Sequence, residues 1–166
     1  MLKKFLIKFK LKRGLQVPLP KGKNNAKVLF LVNADEFDAA DIHTSFQTTF
    51  ENKYTVEKLC FSQQKKKFKE NADAFFGTKD FSFNGNISTE KLKDVIHQDY
   101  EYVFQFFNKE HLYLNYLSAK TKANLRVGFE DVNPKLTDLL FKLNKTDLDL
   151  FFEEAKKYLE IIKKSA

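Results

Sequence analysis

The stretch VLFLVN, residues 28–33, decides the fold. Its first five side chains are all apolar, a pattern typical of a parallel strand that is buried on both faces. The stretch DEFDAADIHTSFQTTF, residues 35–50, has acidic residues in its first turn, as the start of a helix favours. Its apolar side chains share one helical face, namely Ala39, Ile42, Phe46 and Phe50. A buried strand followed by an amphipathic helix predicts one unit of an α/β domain.

The same alternation continues along the chain. Further strands are predicted at 54–61, 74–76, 102–107 and 125–129, and further helices at 88–97, 111–120 and in the last segment. The run LLFKL (139–143) has leucines at helical spacing, but its position, where another strand is due, favours a strand. Thr146 with Asp149 predicts a capping box for the last helix. The pattern predicts an α/β fold with a single doubly wound, mostly parallel, Rossmann-like sheet.

The positive charge of the chain is concentrated in its first 27 residues. These contain no acidic residue and nine basic ones, namely Lys3, Lys4, Lys8, Lys10, Lys12, Arg13, Lys21, Lys23 and Lys27. The remaining 139 residues have 20 basic and 22 acidic side chains, so they are close to neutral. We therefore divide the chain into a basic N-terminal arm (1–27) and a Rossmann-like α/β domain (28–166).

The first half of the arm fits two kinds of secondary structure. Leu2, Phe5, Leu6 and Phe9 follow the spacing of a helical stripe, whereas residues 7–12 alternate between apolar and basic as in a strand. The sequence leaves both possibilities open. In the second half of the arm, glycine and proline residues break regular structure, namely Gly14, Pro18, Pro20 and Gly22.

The C-terminal half of the chain resembles an uncharacterised domain-of-unknown-function family of Bacteroidota. The resemblance lies in DFSFNGNIS (80–88), DYEYVFQFFN (99–108), LYLNYLSAKTKANLRVGF (112–129) and KKYLEIIKK (156–164). It implies the α/β fold and a bacterial cytoplasmic setting. Through YVFQFF, the helix after it and RVGF, the chain is also faintly similar to the N-terminal half of heptosyltransferase-type glycosyltransferases. That similarity implies shared architecture without shared catalysis, because those enzymes bind their nucleotide-sugar donor mainly in a second Rossmann-like half.

The sequence has no recognisable motif for catalysis or metal binding. Its five glycines form neither a GxGxxG motif nor a P-loop. Four acidic residues follow the first strand, and they would repel an anion there, namely Asp35, Glu36, Asp38 and Asp41. His43, His97 and His111 do not have the spacing of metal ligands, and Cys60 lies inside an apolar strand. We predict a non-enzymatic protein with no catalytic residue, metal, cofactor or small-molecule substrate.

The remaining composition predicts a cytoplasmic protein. A single cysteine excludes an internal disulfide framework and suits a reducing compartment. Lysines interrupt the apolar residues of the N-terminus, and no small-residue cleavage site follows them, so we expect no signal peptide. No apolar run is long enough to span a membrane.

A basic arm of 27 residues without a carboxylate favours an anionic partner, and of the possible partners we favour RNA. Its lysines and Arg13 would neutralise phosphates, while Phe5 and Phe9 would stack on bases. The alternatives are a membrane surface bound by a basic amphipathic helix, and an arm folded on its own sheet as a protein–protein module. RNA is preferred over lipid because Lys8 and Lys10 interrupt the apolar face, and because the basic tract continues through VPLPKGKNNAK (17–27).

The specific prediction is a ribosome-associated accessory protein. The nine basic residues of the arm, with Phe5 and Phe9, would contact ribosomal RNA, and ribosomal proteins would be further partners. Secondary basic patches are predicted at Lys65, Lys66, Lys67, Lys69, Lys120, Lys122 and Arg126.

Overall fold

The computed structural model describes residues 2–16, 18–22, 25–64 and 74–165. Five α-helices and six strands follow one another along these residues. The helices are α1 (Leu2–Gly14), α2 (Ala39–Phe50), α3 (Glu90–Ile96), α4 (Leu112–Lys120) and α5 (Leu148–Ser165). The strands are β1 (Lys27–Asn33), β2 (Thr55–Phe61), β3 (Ala74–Phe76), β4 (Asp99–Phe106), β5 (Lys122–Phe129) and β6 (Leu139–Phe141). Short 3-10 turns lie at Thr78–Asp80 and Pro134–Leu136.

The six strands form one parallel sheet in the order β3-β2-β1-β4-β5-β6. From β1 the chain first builds outward through β2 and β3, and then returns to place β4 on the other edge of β1. The order reverses between β1 and β4, as it does in Rossmann folds. The predicted doubly wound parallel sheet is confirmed. The run at 139–143 contains the edge strand β6, so the strand interpretation of LLFKL is also confirmed.

Helices cover both faces of the sheet, as the apolar run of β1 requires. Leu29 and Leu31 point into a core that is completed by α1, α3 and α4. Val28, Phe30 and Val32 point into the opposite core, which α2 and α5 complete largely with phenylalanines. All five side chains are fully inaccessible to solvent. A central parallel strand has no solvent face, and this explains why its sequence does not alternate.

The predicted capping box at the start of α5 is wrong. The Asp147 carboxylate, one residue after Thr146, accepts a hydrogen bond from the Leu150 amide at 3.2 Å. The Thr146 hydroxyl instead donates to Asn144 Oδ1 at 2.8 Å. Asp147 is thus the residue that caps α5, and its negative charge also suits the N-terminal end of the helix dipole.

The arm begins as the helix α1, which packs against α4 on one face of the sheet. Ile7 is completely buried in the same core as Leu29 and Leu31 of β1, and Leu11 packs against that core. The choice between helix and strand for the first half of the arm is thereby resolved as a helix. The division into an arm (1–27) and a domain (28–166) stays a prediction.

Residues 18–22 lie along the amino ends of β4 and β5. The Ala123 amide donates a hydrogen bond to the Pro20 carbonyl at 3.2 Å. Gly22 lies so close to the backbone that a Cβ atom there would be 2.5 Å from the Tyr100 carbonyl oxygen. Only a residue without a side chain allows this approach. The described part of the second half of the arm has no regular secondary structure, as predicted, but it is held against the sheet.

Candidate nucleic-acid interface

The orientation of α1 is set by the burial of Ile7. On one side of this residue lies α4, and on the other lies the turn formed by residues 82–86. Gly85 in that turn has a φ angle of +81°, and a Cβ atom at this position would lie 3.2 Å from Ile7 Cγ1. The left-handed conformation and the close contact both favour glycine. The turn and α4 together determine which face of α1 remains exposed.

Two lysines of α1 point toward the body of the protein. Lys3 Nζ donates a hydrogen bond to the Thr78 carbonyl. Lys10 Nζ donates to the side-chain carbonyl of Asn86 in the turn that contacts Ile7. Both lysines are half-buried. Their ammonium groups fix α1 to the 78–86 segment, in addition to the apolar contacts of Ile7.

The outward face of α1 combines aromatic and basic side chains. Phe5 and Phe9 remain 64% and 50% exposed, and Leu2 is 47% exposed. Between and beside them lie exposed cations, namely Lys4, Lys8, Lys12 and Arg13. The Arg13 guanidinium lies 5.8 Å from the centre of the Phe9 ring, a cation–π contact. Of the stripe that the sequence places on one helical face, Leu2, Phe5 and Phe9 face solvent and Leu6 is half-buried near Gly85. Ile7 and Leu11 face the core.

A second group of cations lies where α1 meets the C-terminal end of α4. Lys120 Nζ lies 5.2 Å from the centre of the Tyr116 ring. Burial, and then the positive charge of Lys10, lower the pKa of Lys120. Lys122 follows two residues later and is half-buried. Lys10, on the side of α1 that points toward the body of the protein, therefore lies close enough to Lys120 for the two positive charges to interact.

The predicted surface role of Arg126 is wrong because this residue is 99% buried, with 1% of its surface exposed. Its guanidinium donates to the Ser118 carbonyl at 3.2 and 3.3 Å, and also to the Thr121 carbonyl. A weaker contact, 3.5 Å long, reaches the Pro20 carbonyl of the arm. Burial lowers the pKa of Arg126 to about 10, while Asp138 opposes this change. Arg126 therefore satisfies backbone carbonyls and joins the arm to α4.

The remaining predicted cations have varied positions. Lys27 is half-buried and donates to the Gln98 side chain. Lys21 Nζ donates to the Asn124 carbonyl at 3.2 Å from the exposed surface. Five predicted residues lie outside the described residues, namely Lys23, Lys65, Lys66, Lys67 and Lys69. Among the described residues, the structure brings together the exposed cations of α1 on one helix, and it places Lys120 of α4 near Lys10.

The carboxyl edge of the sheet, where Rossmann folds usually hold ligands, is acidic near β1. Asp35 accepts hydrogen bonds from the Ser62 hydroxyl at 2.7 Å and from the Gln63 amide at 3.1 Å. Asp38 caps α2 by accepting from the amides of Ala40 and Asp41 at 2.8 and 3.3 Å. The Asp38 carboxylate thus occupies the end of the helix that would otherwise attract a phosphate. The absence of nucleotide binding at this turn stays a prediction.

His111, which the sequence analysis sets aside as a metal ligand, follows β4 and lies at the start of α4. Its Nδ1 accepts a hydrogen bond from the Leu114 amide at 3.3 Å, so the residue caps α4. Burial lowers the pKa of His111 to about 4, although its own backbone and Asp35 oppose the change. The ring contacts Phe61 edge-on at 4.5 Å between centres. These features define a neutral, structural histidine at neutral pH.

Within the described ranges, no three histidine, cysteine, aspartate or glutamate side chains come together as metal ligands would. In the same ranges, no helix combines the length and the apolar character that a membrane crossing requires. Cys60 is buried within β2, as expected for a small apolar residue.

The strand order and the two helical layers define a Rossmann-like α/β protein. The chain belongs to a family of unknown function, DUF6913, whose sequence profile matches residues 3–162. No curated protein and no solved structure matches the chain significantly. The matched region covers most of α1 as well as the sheet.

Proposed function

We propose that this protein is a non-enzymatic RNA-binding accessory protein that contacts ribosomal RNA with the exposed face of α1. The observation behind the proposal is the orientation of this helix. Burial of Ile7 leaves Phe5 and Phe9 exposed next to a group of exposed cations, namely Lys4, Lys8, Lys12 and Arg13. No residue of α1 is acidic.

The two kinds of side chain suit the two parts of a nucleic acid. Lys4, Lys8 and Lys12 recur every four residues, so they lie along one side of the helix. Ammonium groups in such a row can neutralise successive phosphates and release their counterions. Exposed aromatic rings can stack on unpaired bases, whatever the base. Phe5 and Phe9 are close enough to the row to do this while the lysines hold the backbone.

The cations at the end of α4 favour an extended polyanion over a single phosphate. Lys120 lies near Lys10, and like charges at short distance repel unless an anion lies between them. Among the described residues, neither lysine has a carboxylate within ion-pair distance. A phosphate backbone that continues from α1 toward α4 would relieve this repulsion.

The setting is part of the same proposal. A compact, near-neutral domain with a basic extension is typical of proteins that bind ribosomal RNA, and ribosomal proteins would be neighbouring partners. We place the protein in the cytoplasm of Bacteroidota. The faint similarity to heptosyltransferase-type glycosyltransferases supports shared architecture at most, and the proposed function does not depend on it.

Salt dependence of binding tests the proposal. RNA affinity should fall with salt by about 0.7 to 0.9 log units, per log unit of salt, for each phosphate neutralised. Changing Lys4, Lys8, Lys12 and Arg13 to Gln should therefore reduce the slope by about 3. The binding of full-length protein to ribosomal RNA fragments would be followed by fluorescence anisotropy, and its association with ribosomes by co-sedimentation.

A matched control removes the same charge elsewhere. Lys135, Lys142, Lys157 and Lys164 are exposed and lie outside α1 and α4. Changing these four lysines to Gln removes four positive charges, as the α1 variant does. If the salt slope of RNA binding depended only on net charge, it would fall by the same amount in the α1 variant and in this control variant. Equal slopes for the two variants would contradict a role of α1 in binding.

An anionic membrane surface is the second candidate, because Leu2, Phe5 and Phe9 form an exposed apolar stripe. The double change Phe5→Ser and Phe9→Ser separates the two functions. If RNA is the partner, RNA binding should weaken while the salt slope stays constant, since stacking releases no counterions. If lipid is the partner, the changes should abolish binding to phosphatidylserine vesicles, and RNA should compete only weakly. Vesicle binding without salt-dependent RNA binding would refute the RNA proposal.

A further inference from the structure

A cleft of about 850 Å³ opens at the amino ends of the strands, on the side of α5. Residues just before β1 and β2 and residues in the first halves of β4 and β5 form its base, and the end of α5 forms one wall. A smaller cavity of about 200 Å³ adjoins it and shares Tyr54, Tyr102 and Lys163 with it. The volume of the cleft is typical of small-molecule sites. The helix α5 covers the face of the sheet opposite to α1, so the cleft is distinct from the basic surface.

Aromatic and aliphatic side chains line much of this cleft. The rings of Tyr54 and Tyr102 lie 5.8 Å apart between centres, with an angle of 52° between their planes. Leu125 from β5 and Ile162 from α5 add apolar surface. A ligand with an apolar or aromatic body would find van der Waals contacts here, and the tyrosine rings could also contact a cation.

Glu101 provides the negative charge of the cleft, and its side chain is only 12% exposed. Its carboxylate lies 3.6 Å from Lys163 Nζ, whose side chain is 69% exposed. Burial, and then the nearby Tyr54 and Glu101, raise the pKa of Tyr102, so its hydroxyl stays protonated. A largely buried carboxylate needs a cationic partner, but an exposed lysine holds such a position only weakly.

A second lysine in the cleft does not compete for Glu101. Lys53 Nζ lies 3.3 Å from the Glu51 carboxylate, and both side chains are more than 60% exposed. Among the described residues, the carboxylate paired with Lys53 is therefore that of Glu51, and the lysine paired with Glu101 is Lys163. Lys163 remains the cation beside Glu101, and its exposure allows it to move away.

We propose that this cleft binds a small organic cation, with an ammonium or guanidinium group beside Glu101 and an apolar or aromatic body against Tyr54 and Tyr102. The ligand takes the place of Lys163, whose ammonium group moves into solvent. The exchange keeps the charge beside Glu101 constant, so it needs no rearrangement of the sheet.

The test compares phenethylamine with its neutral counterpart 2-phenylethanol, using NMR titration of the full-length protein. The amine should bind and shift the signals of residues around Glu101, and the alcohol should bind at least tenfold more weakly. Glu101→Gln should weaken amine binding by about tenfold or more, because a hydrogen bond to a charged group is lost. Lys163→Gln should tighten amine binding by up to about fivefold, because the internal competitor is removed.

The neighbouring exposed residue Lys164 provides the control, since it does not line the cleft. Lys164→Gln removes the same charge and should leave amine affinity unchanged. Circular dichroism checks the folding of each variant, and if Glu101→Gln fails to fold, the Lys163 variant and the alcohol decide the matter. Equal binding of amine and alcohol, no tightening in Lys163→Gln, or no binding of the amine at millimolar concentration would overturn the proposal.

Discussion

The docking of α1 can be tested with one pair of substitutions in the same helix. Ile7 is fully buried and Phe5 is 64% exposed, although the two residues are only two positions apart. Replacement of each by Ala removes an apolar side chain and introduces the residue with the best helix propensity. Any difference in stability between the variants therefore reports burial and not helix formation.

The expected magnitudes differ clearly. Truncation of a buried isoleucine to alanine costs about 2–5 kcal/mol of unfolding free energy. Because α1 lies at the periphery and can relax toward the space left behind, we expect Ile7→Ala to cost about 2–3 kcal/mol, the lower part of that range. Phe5→Ala should change stability by less than about 0.5 kcal/mol, as most exposed substitutions do.

Equilibrium unfolding in urea provides the measurement. With a urea dependence of about 1–3 kcal/mol/M, Ile7→Ala should lower the unfolding midpoint by about 1 M, and Phe5→Ala should leave it in place. Two unchanged midpoints would mean that α1 is not docked on α4 in solution. In that case the arm would be a free tail, and the exposed face described above would not be fixed.

Three further predictions follow from individual contacts. Gly22→Ala should destabilise the protein by about 1–3 kcal/mol, because the added Cβ would lie 2.5 Å from the Tyr100 carbonyl oxygen. Gly14→Ala is the control, because a Cβ added at Gly14 has no neighbouring atom within 4 Å. Equal melting temperatures of the two variants would refute the close contact at Gly22. Arg126→Met should lower the free energy of chemical unfolding by about 3 kcal/mol, because buried carbonyls lose their hydrogen-bond donor. The control, a change of the exposed Lys120 to Met, should lower it by less than about 0.5 kcal/mol. An unchanged stability of Arg126→Met would contradict the buried role. Because the pKa of His111 is lowered to about 4, its stabilising contribution is present above the ordinary value of 6.5 and is lost as the pH falls from 6.5 to 4. Melting temperatures of His111→Gln should fall less over this range than those of the wild type, and parallel curves would contradict the assignment.

The sheet could be predicted from the sequence because its strands are short apolar runs between amphipathic helices. The stretch 28–33 has no polar residue before Asn33. A strand needs such an uninterrupted apolar run only when both of its faces are buried. The first residue of α5 could not be predicted as accurately as the strands. Thr146 and Asp147 are both good capping residues, and propensity alone does not distinguish neighbours of similar preference. The backbone of the preceding turn selects Asp147.

The exposed face of α1 could not be predicted because the helix has two apolar faces. Most of the longer one is exposed, namely Leu2, Phe5 and Phe9, whereas the shorter one packs on the core through the buried Ile7 and the partly buried Leu11. The choice depends on the space between α4 and the turn at Gly85, which is far away in sequence. The burial of Arg126 did have a sequence signal. It lies inside the strand predicted at 125–129, and a strand inside a parallel sheet with two covered faces has no exposed side.

The docked arm also changes how its charge should be counted. Of its cations, Lys3, Lys10, Lys21 and Lys27 hydrogen-bond to the domain, whereas Lys4, Lys8, Lys12 and Arg13 are exposed on α1. If Lys120 contributes as well, five phosphates can be neutralised, which predicts a salt slope of about −3.5 to −4.5 for RNA binding. A free tail with all nine cations of the arm would give a slope of about −6 to −8. The slope thus distinguishes a rigid basic surface from a flexible tail, and a measured value near −7 would mean that the anchored lysines leave the domain in order to bind RNA.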